Sequence, residues 1–231
     1  MGLDIQNIRL LNHCHQYGDF KDTLTIGRQA IFVHEEQLKY LLEDDSLSGI
    51  KCGESYCENV FISNYGSTKV DSIDYCDYEG CTIVHDMNIS IENGMQKYDT
   101  IFDGGSLEHI FNINQALKNV SLMCKPGGQI IHSLPSNNQC GHGFWQFSPE
   151  LFLSLYSEKN GYSDTEVYIA SVHRHDDIQK IESDTANGRI EINIEGPSYV
   201  WVRTILKEDI FKHDDIQQID YESNYWNSKI K

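Results

Sequence analysis

The sequence predicts an α/β fold, a mostly parallel sheet covered by helices on both faces, and three observations carry that expectation. Apolar, β-branched segments alternate with amphipathic stretches from Thr23 to Tyr156. The central apolar segments are continuous rather than alternating, as in strands buried on both sides. Two further strand-like runs, Glu166–Ser171 and Tyr199–Leu206, follow the last helix pattern.

Taken in order, "TLTI" leads into Gly27 and gives a strand at Leu24–Gly27, then a helix near Gln29–Glu43 on the spacing of Ile31, Phe32, Leu38, Leu41 and Leu42. Leu47–Ser67 reads as irregular, punctuated by Gly49, Gly53 and Gly66. Strands are expected at Val70–Tyr75, in "CTIVHDMN" (Cys81–Asn88, a buried one) and in "YDTIFDGGS" (Tyr98–Ser106). Leu107–Cys124 is the clearest helix, with Ile113, Ala116, Leu117, Val120 and Met123 on one face and "KPGG" as its stop. "QIIHSLP" is a strand cut by Pro135, and a helix capped by Ser148 with Pro149 in its first turn follows. No repeat or linker divides the chain, so residues 1–231 read as one domain with a polar excursion at about 173–196.

Composition narrows the function. The 231 residues carry 35 acidic against 18 basic side chains, a net charge of −17. Such a surface repels nucleic acid phosphates and anionic lipid, and no basic stripe interrupts it. Nucleic acid and membrane are therefore disfavoured as partners, while small molecules or neutral saccharides suit the charge. Neither a bilayer-length apolar run nor a secretory layout at Met1–Leu10 is present, so a cytoplasmic protein is expected. The seven cysteines contain no CxxC pair and read as free thiols, with Cys81 and Cys124 in the core.

Polar groups sit where an open α/β sheet binds ligands, beyond the carboxyl ends of strands. They are Gly27-Arg28-Gln29, Asp74, Asp86-Met87-Asn88, Asp103-Gly104-Gly105-Ser106 and Ser133 through Asn138. An acid after the second strand suits ribose hydroxyls, and an acid with an amide after the third suits an adenine amine.

Over Tyr98–Pro135 the chain resembles the class I S-adenosylmethionine-dependent methyltransferases, specifically the small-molecule, type 11-like branch. The resemblance rests on a strand, the "LEH" turn, a helix, "KPGG" and another strand, and it extends from about Thr23 to Tyr156. It implies a Rossmann-like methyltransferase fold with a seven-stranded sheet, and S-adenosyl-L-methionine as cofactor at Gly27, Arg28, Gln29, Asp74, Asp86, Met87, Asp103 and Gly104. The glycine motif departs from the family: Thr25 replaces the acid, and Gln29 and Ile31 replace the second and third glycines. Since a Cβ there obstructs close approach, Gln29 and Ile31 should narrow the space under the methionine moiety. Either Arg28 and Gln29 substitute for backbone contacts, with Arg28 on the cofactor carboxylate, or the turn no longer binds cofactor.

The segment Ser136–Phe152 joins a strand end to a helix and can lie over a substrate pocket. Asn137, Asn138, Trp145 and Gln146 are its substrate-binding candidates, with Gly141 and Gly143 flanking His142. His142 is the candidate general base, since an imidazole titrates near working pH; the alternative is that it packs the loop on the sheet. His109 is a second catalytic candidate, with packing or capping as its competing role. No metal site is expected. "HCH" at 13–15, "HRHDD" at 173–177 and "HDD" at 213–215 hold good ligand types, but they lie in polar terminal or excursion segments and read as solvated surface. The aromatic C-terminus, "DYESNYWNSKIK", covers either the domain, a partner subunit in a homo-oligomer, or nothing.

Together these imply methyl transfer to an oxygen of a small molecule or sugar, such as a surface-polysaccharide precursor. Two alternatives stay open: a non-catalytic methyltransferase-like binding or assembly protein, and an enzyme that handles a nucleotide-linked substrate without moving methyl.

Overall fold

The computed structural model describes residues 2–92, 94–182, 191–208 and 216–222. The sequence's "HDD" at 213–215, part of the polar excursion (183–190) and most of the aromatic C-terminus (223–231) lie outside the described residues.

A short strand β1 (Gly2–Leu3) and helix α1 (Ile5–His15) open the chain. Then come β2 (Lys21–Ile26), β3 (Ala30–Ile31), α2 (Glu35–Leu42), α3 (Glu58–Asn64), β4 (Ser67–Asp74) and β5 (Ile83–Val84). The second half holds β6 (Tyr98–Asp103), α4 (Ile113–Met123), β7 (Cys124–Asn137), α5 (Pro149–Leu155), β8 (Tyr162–Ser171), β9 (Ile178–Ile181), β10 (Ser198–Leu206) and α6 (Ile219–Glu222).

The main sheet has eight strands in the order β5-β4-β2-β6-β7-β10-β8-β9. The first five in that order are mutually parallel, whereas β10 runs against both β7 and β8, and β9 runs against β8. This is a Rossmann-like, doubly wound arrangement. Its strand beyond the expected seven is β9, which comes from the polar excursion. The order reverses between β2 and β6, because the chain moves outward from β2 to β5 and then returns to β2's other side. Their carboxyl ends consequently splay apart and leave a crevice.

Neighbouring residues of the central strands feed opposite layers: Ile101 and Phe102, Ile130 and Ile131, Val200 and Trp201. Both faces are dry, which explains the continuous apolar runs. One layer packs α4 and α5 on the sheet, and the other packs α1, α2 and α3. No helix among the described residues is long and apolar enough to cross a membrane.

Several expectations are corrected. The helix expected from Gln29 begins only at Glu35, because Ala30–Ile31 is extended and pairs in parallel with Gly2–Leu3. "CTIVHDMN" is a two-residue edge strand with Val84 exposed, and Cys81 is half-buried rather than core. Edge position is the reason: β5 pairs with β4 alone and has no neighbour on its other side. The helix expected from Leu107 is a 3-10 turn at Leu107–His109, then extended Ile110, then α4 capped by Asn112, whose side chain accepts from the Gln115 N–H. Pro135 does not cut β7. The strand passes it at an irregularity in the pairing with β10, and the Pro135 carbonyl accepts from the Phe147 N–H at 2.7 Å. Leu47–Ser67 contains α3, and α1 had no counterpart in the sequence reading. Buried Gln6 and Asn7 break α1's apolar pattern; their amide nitrogens donate to the carbonyls of Ser171 and Gly2, while Gln6 Oε1 and Asn7 Oδ1 have no partner.

Candidate active site

Gly27 turns the chain after β2 with φ +73°, a left-handed conformation that favours glycine. Its N–H donates to the Ile73 carbonyl at 2.7 Å and ties the bend to β4. Beneath the bend Gln29 is fully buried. Its Nε2 donates to the carbonyls of Ile26 (2.7 Å) and Gly27 (3.3 Å), while its Oε1 has no partner. A Cβ on Gly104 would fall 2.7 Å from that Oε1, so the ends of β2 and β6 meet across this amide. Arg28 faces elsewhere. Its guanidinium donates to Glu58 Oε1 and to the Glu79 carbonyl, each at 2.6 Å, and lies 4.0 Å above the Tyr56 ring.

Beside the bend opens a cavity of about 200 Å³, whose lining includes Gly27, Asp74, Asp86, Met87, Asn88 and His109. It therefore collects the ends of β2, β4 and β5. Asp74 Oδ1 accepts from the Tyr75 N–H at 2.7 Å, leaving its other oxygen for a ligand. Asp86 Oδ1 accepts from the Asn88 N–H and amide. Those two bonds, the backbone one first, hold its carboxyl below the usual range.

A second cavity, of about 240 Å³, lies on the other side of the "LEH" turn. Gly104, Glu108, Ser133 and His142 line it, and Asp4 and Tyr199 help to close it. The fully buried carboxylate of Asp103 supports the turn: Oδ1 accepts from the Ser106 N–H at 2.9 Å, and Oδ2 accepts from His132 Nδ1 at 3.1 Å. His132 Nε2 in turn accepts from the Tyr156 hydroxyl at 2.7 Å. Asp103 thus shapes Gly104–Ser106 from below and lines neither cavity.

Glu108 stands between the cavities with 1 % exposure, and its Oε2 has no partner. Burial, reinforced by the Asp103 charge, pushes its carboxyl up to about 8. Its Oε1 lies 3.7 Å from His109 Nε2 and 3.6 Å from His142 Nε2. Burial and then the neighbouring His142 push the His109 imidazole down. The loop bearing His142 is bound to the same residue, because the Glu108 carbonyl accepts from the N–H groups of Phe144 (2.7 Å) and Trp145 (3.3 Å). Gly143 makes that approach feasible: a Cβ there would meet the Glu108 carbonyl oxygen at 2.7 Å.

Of the sequence-predicted residues, Gly27, Asp74, Asp86, Met87 and His109 come together at the first cavity, and Gly104 and His142 at the second. Asn137, Asn138, Trp145 and Gln146 line neither. Asn137 donates to the Gly196 carbonyl, Trp145 Nε1 to the Ile110 carbonyl, and Gln146 accepts from the Gln139 N–H, while Asn138 occupies a left-handed turn. These four build the loop that presents His142. The sequence reading missed Glu108, Ser133, Tyr199 and Asp4 as site residues. Glu108 alone had a local signal, in the "LEH" turn.

The suspected histidine-rich segments separate. His13 pairs with Glu166 at 3.0 Å and His15 with Asp19 at 3.3 Å, while Arg174 pairs with Asp177. Among the described residues the grouping with metal-ligand spacing is Glu108, His109 and His142, whose ligand atoms all lie within 4.8 Å of one another.

No family model matches the chain, and no curated protein matches it. Solved structures do align with it. TehB from Haemophilus influenzae is 13% identical over 87% of this chain, with a TM-score of 0.46, and the chain spans 62% of TehB. The N-methyltransferase NodS from Bradyrhizobium japonicum, in complex with S-adenosyl-L-homocysteine, is 12% identical over 89% of each chain at a TM-score of 0.47. A SAM-dependent methyltransferase from Thermotoga maritima is 12% identical over 86% of this chain and 88% of its own, at 0.48. At such identities the similarity is one of chain shape.

Proposed function

We propose that the chain is an S-adenosylmethionine-dependent methyltransferase that methylates an oxygen of a small molecule or sugar. The observation that carries this reading is the pair of cavities that flank the Gly104–His109 turn at the sheet's switch point, one suited to adenosine and the other walled by Glu108 and His142. The first cavity fits the cofactor's nucleoside half by donor chemistry. Asp74 would take a ribose hydroxyl and Asp86 an adenine amine, with Ile73, Met87 and Ile110 as apolar walls. Orphaned polar atoms of Glu108 and Ser133, which line the second cavity, offer hydrogen-bonding capacity that the fold leaves unused.

When bound, the cofactor supplies a methyl group already activated on a sulfonium. The chain's own task is chiefly placement. Gly27 and Gly104 let two backbone ends come near the cofactor, and Asp103 holds the Gly104–Ser106 turn rigid. His142, which lines the second cavity, would receive a hydroxyl proton from the acceptor. The net charge of −17 favours a cationic cofactor and an uncharged acceptor.

Gln29 favours a second reading, that of a methyltransferase-like binding protein, because it occupies space that a glycine would leave open. Isothermal titration separates the two. Micromolar binding of S-adenosylmethionine and S-adenosylhomocysteine, weakened by Asp74→Ala and by Asp86→Ala, supports the enzyme. Neither heat nor thermal shift at millimolar cofactor would leave the second reading standing.

A further inference from the structure

We propose that Glu108, His109 and His142 form a binding site for a divalent transition metal ion of the Zn²⁺ type at the turn between the two cavities. The ligand set is two imidazoles and a carboxylate, each offering one atom to a common point. Tetrahedral zinc holds its ligands about 2.1 Å away, which puts neighbouring ligand atoms ~3.4 Å apart. The two Glu108–histidine separations, 3.7 and 3.6 Å, are already close to that span. The histidines lie on exposed positions and need only a side-chain adjustment to close on an ion, while the backbone between their segments is pinned. The Glu108 carbonyl accepts the two N–H bonds that seat the His142 loop.

A second, independent observation points to a ligand. Glu108 Oε2 is buried with no hydrogen-bond partner, in a side chain only 1 % exposed. A carboxylate in that position is costly unless something positive or protic satisfies it. Among the described residues that line its cavity none is a lysine or arginine: the charged or titratable groups there are Asp4, Tyr199 and His142, with His109 and Asp103 adjacent. The nearest partners are the imidazoles, which are themselves metal ligands. With three protein ligands one coordination position stays open, as in catalytic rather than structural zinc sites. The second cavity, which Glu108 and His142 line, can supply an oxygen ligand from its occupant. The inference deepens the reading of that cavity as the acceptor pocket: with an ion bound, His142 would serve as its ligand instead of as the proton acceptor, and the ion would orient the acceptor oxygen.

The test uses the full chain without cofactor, so its outcome is independent of whether S-adenosylmethionine binds. After chelator treatment and dialysis, Zn²⁺ is titrated calorimetrically, and Co²⁺ is followed by its visible absorption, which is intense when tetrahedral. We expect one equivalent to bind, with affinity lowered about tenfold or more by His142→Ala, by His109→Ala and by Glu108→Gln. The two histidine variants change exposed side chains and should keep the wild-type melting curve, so they remain informative if Glu108→Gln fails to fold. Mg²⁺ should not compete. No stoichiometric Zn²⁺ binding, or binding that His109→Ala and His142→Ala leave unchanged, overturns the proposal. The second result would assign the ion to surface histidines such as His13 or His15.

Discussion

At the scale of single residues, Gln29 and Gly143 decide how closely neighbouring segments approach one another around the crevice. Gln29 fills the space below the Gly27 bend and uses its amide nitrogen on the carbonyls of Ile26 and Gly27. Replacing it with alanine should cost about 1 kcal/mol of stability, the net worth of a buried hydrogen bond, as read by urea unfolding. The same change vacates the space facing Gly104, so affinity for S-adenosylmethionine should rise. Weaker binding of Gln29→Ala would mean that the amide contacts the cofactor and does not narrow its site. Gly143 works in the opposite sense, because it lacks the Cβ that would strike the Glu108 carbonyl. Gly143→Ala should push the His142 loop outward, leave cofactor affinity intact and slow turnover on the order of tenfold to a hundredfold, since small misplacements of a reacting group are costly. Wild-type turnover in that variant would remove the loop's seat from the mechanism. The Gln29 effect is legible in the altered glycine motif, whereas the Gly143 effect is not: the sequence shows a glycine, and its consequence depends on which backbone lies across from it.

At the scale of elements, the strands of the central sheet were readable because burial on both faces leaves an unbroken apolar signal, as in β6 and β7. What sequence reading lost were elements whose periodicity is interrupted by buried polar side chains or by pairing with distant chain. Gln6 and Asn7 hid α1, and β3 is extended because Gly2–Leu3 pairs with it and the Gly53–Cys57 segment bonds to it as well. The candidate site divides in the same way. Asp74, Asp86 and His142 were found because they end a strand or sit in a conspicuous loop; Ser133, Tyr199 and Asp4 reach the second cavity through sheet order and the path of the N-terminus. The connection between elements under this site is the chain Asp103–His132–Tyr156, which joins the end of β6 through β7 to the residue following α5. All three side chains are buried, so removal of the terminal hydroxyl leaves His132 Nε2 without its donor. Tyr156→Phe should therefore lower stability by about 1–3 kcal/mol, measured by denaturant unfolding, while Tyr162→Phe, in a ring that packs on Tyr156 but bonds Ser121 through its hydroxyl, leaves the hydrogen bond to His132 in place. The imidazole NMR signals of His132 should shift in the first variant and stay in place in the second. An unmoved His132 in Tyr156→Phe would show that the hydroxyl does not set its tautomer.

At the scale of the whole molecule, charge is the property that the sequence states most directly and the fold modifies least. Thirty-five acidic against 18 basic side chains give −17 on a chain of 231 residues. Local pairs offset part of this at the foot of the sheet, where Lys125 bridges Asp99 at 2.7 Å and Asp22 at 3.4 Å. Such partly exposed pairs contribute little individually, so long-range self-repulsion remains. Salt screens repulsion between charges farther apart than the Debye length, about 30 Å at 0.01 M and ~8 Å at 0.15 M. Raising NaCl through that range should accordingly raise the melting temperature, the reverse of what a fold held by surface ion pairs would do. The same field predicts how ligands associate. A cationic cofactor should bind faster at low salt, and an anionic acceptor more slowly, whereas a neutral saccharide should show no salt dependence. Stopped-flow association of S-adenosylmethionine at several ionic strengths checks the first of these. If its rate is flat with salt while the melting temperature climbs, the negative field resides on surfaces remote from the crevice, and electrostatic attraction plays no part in loading it.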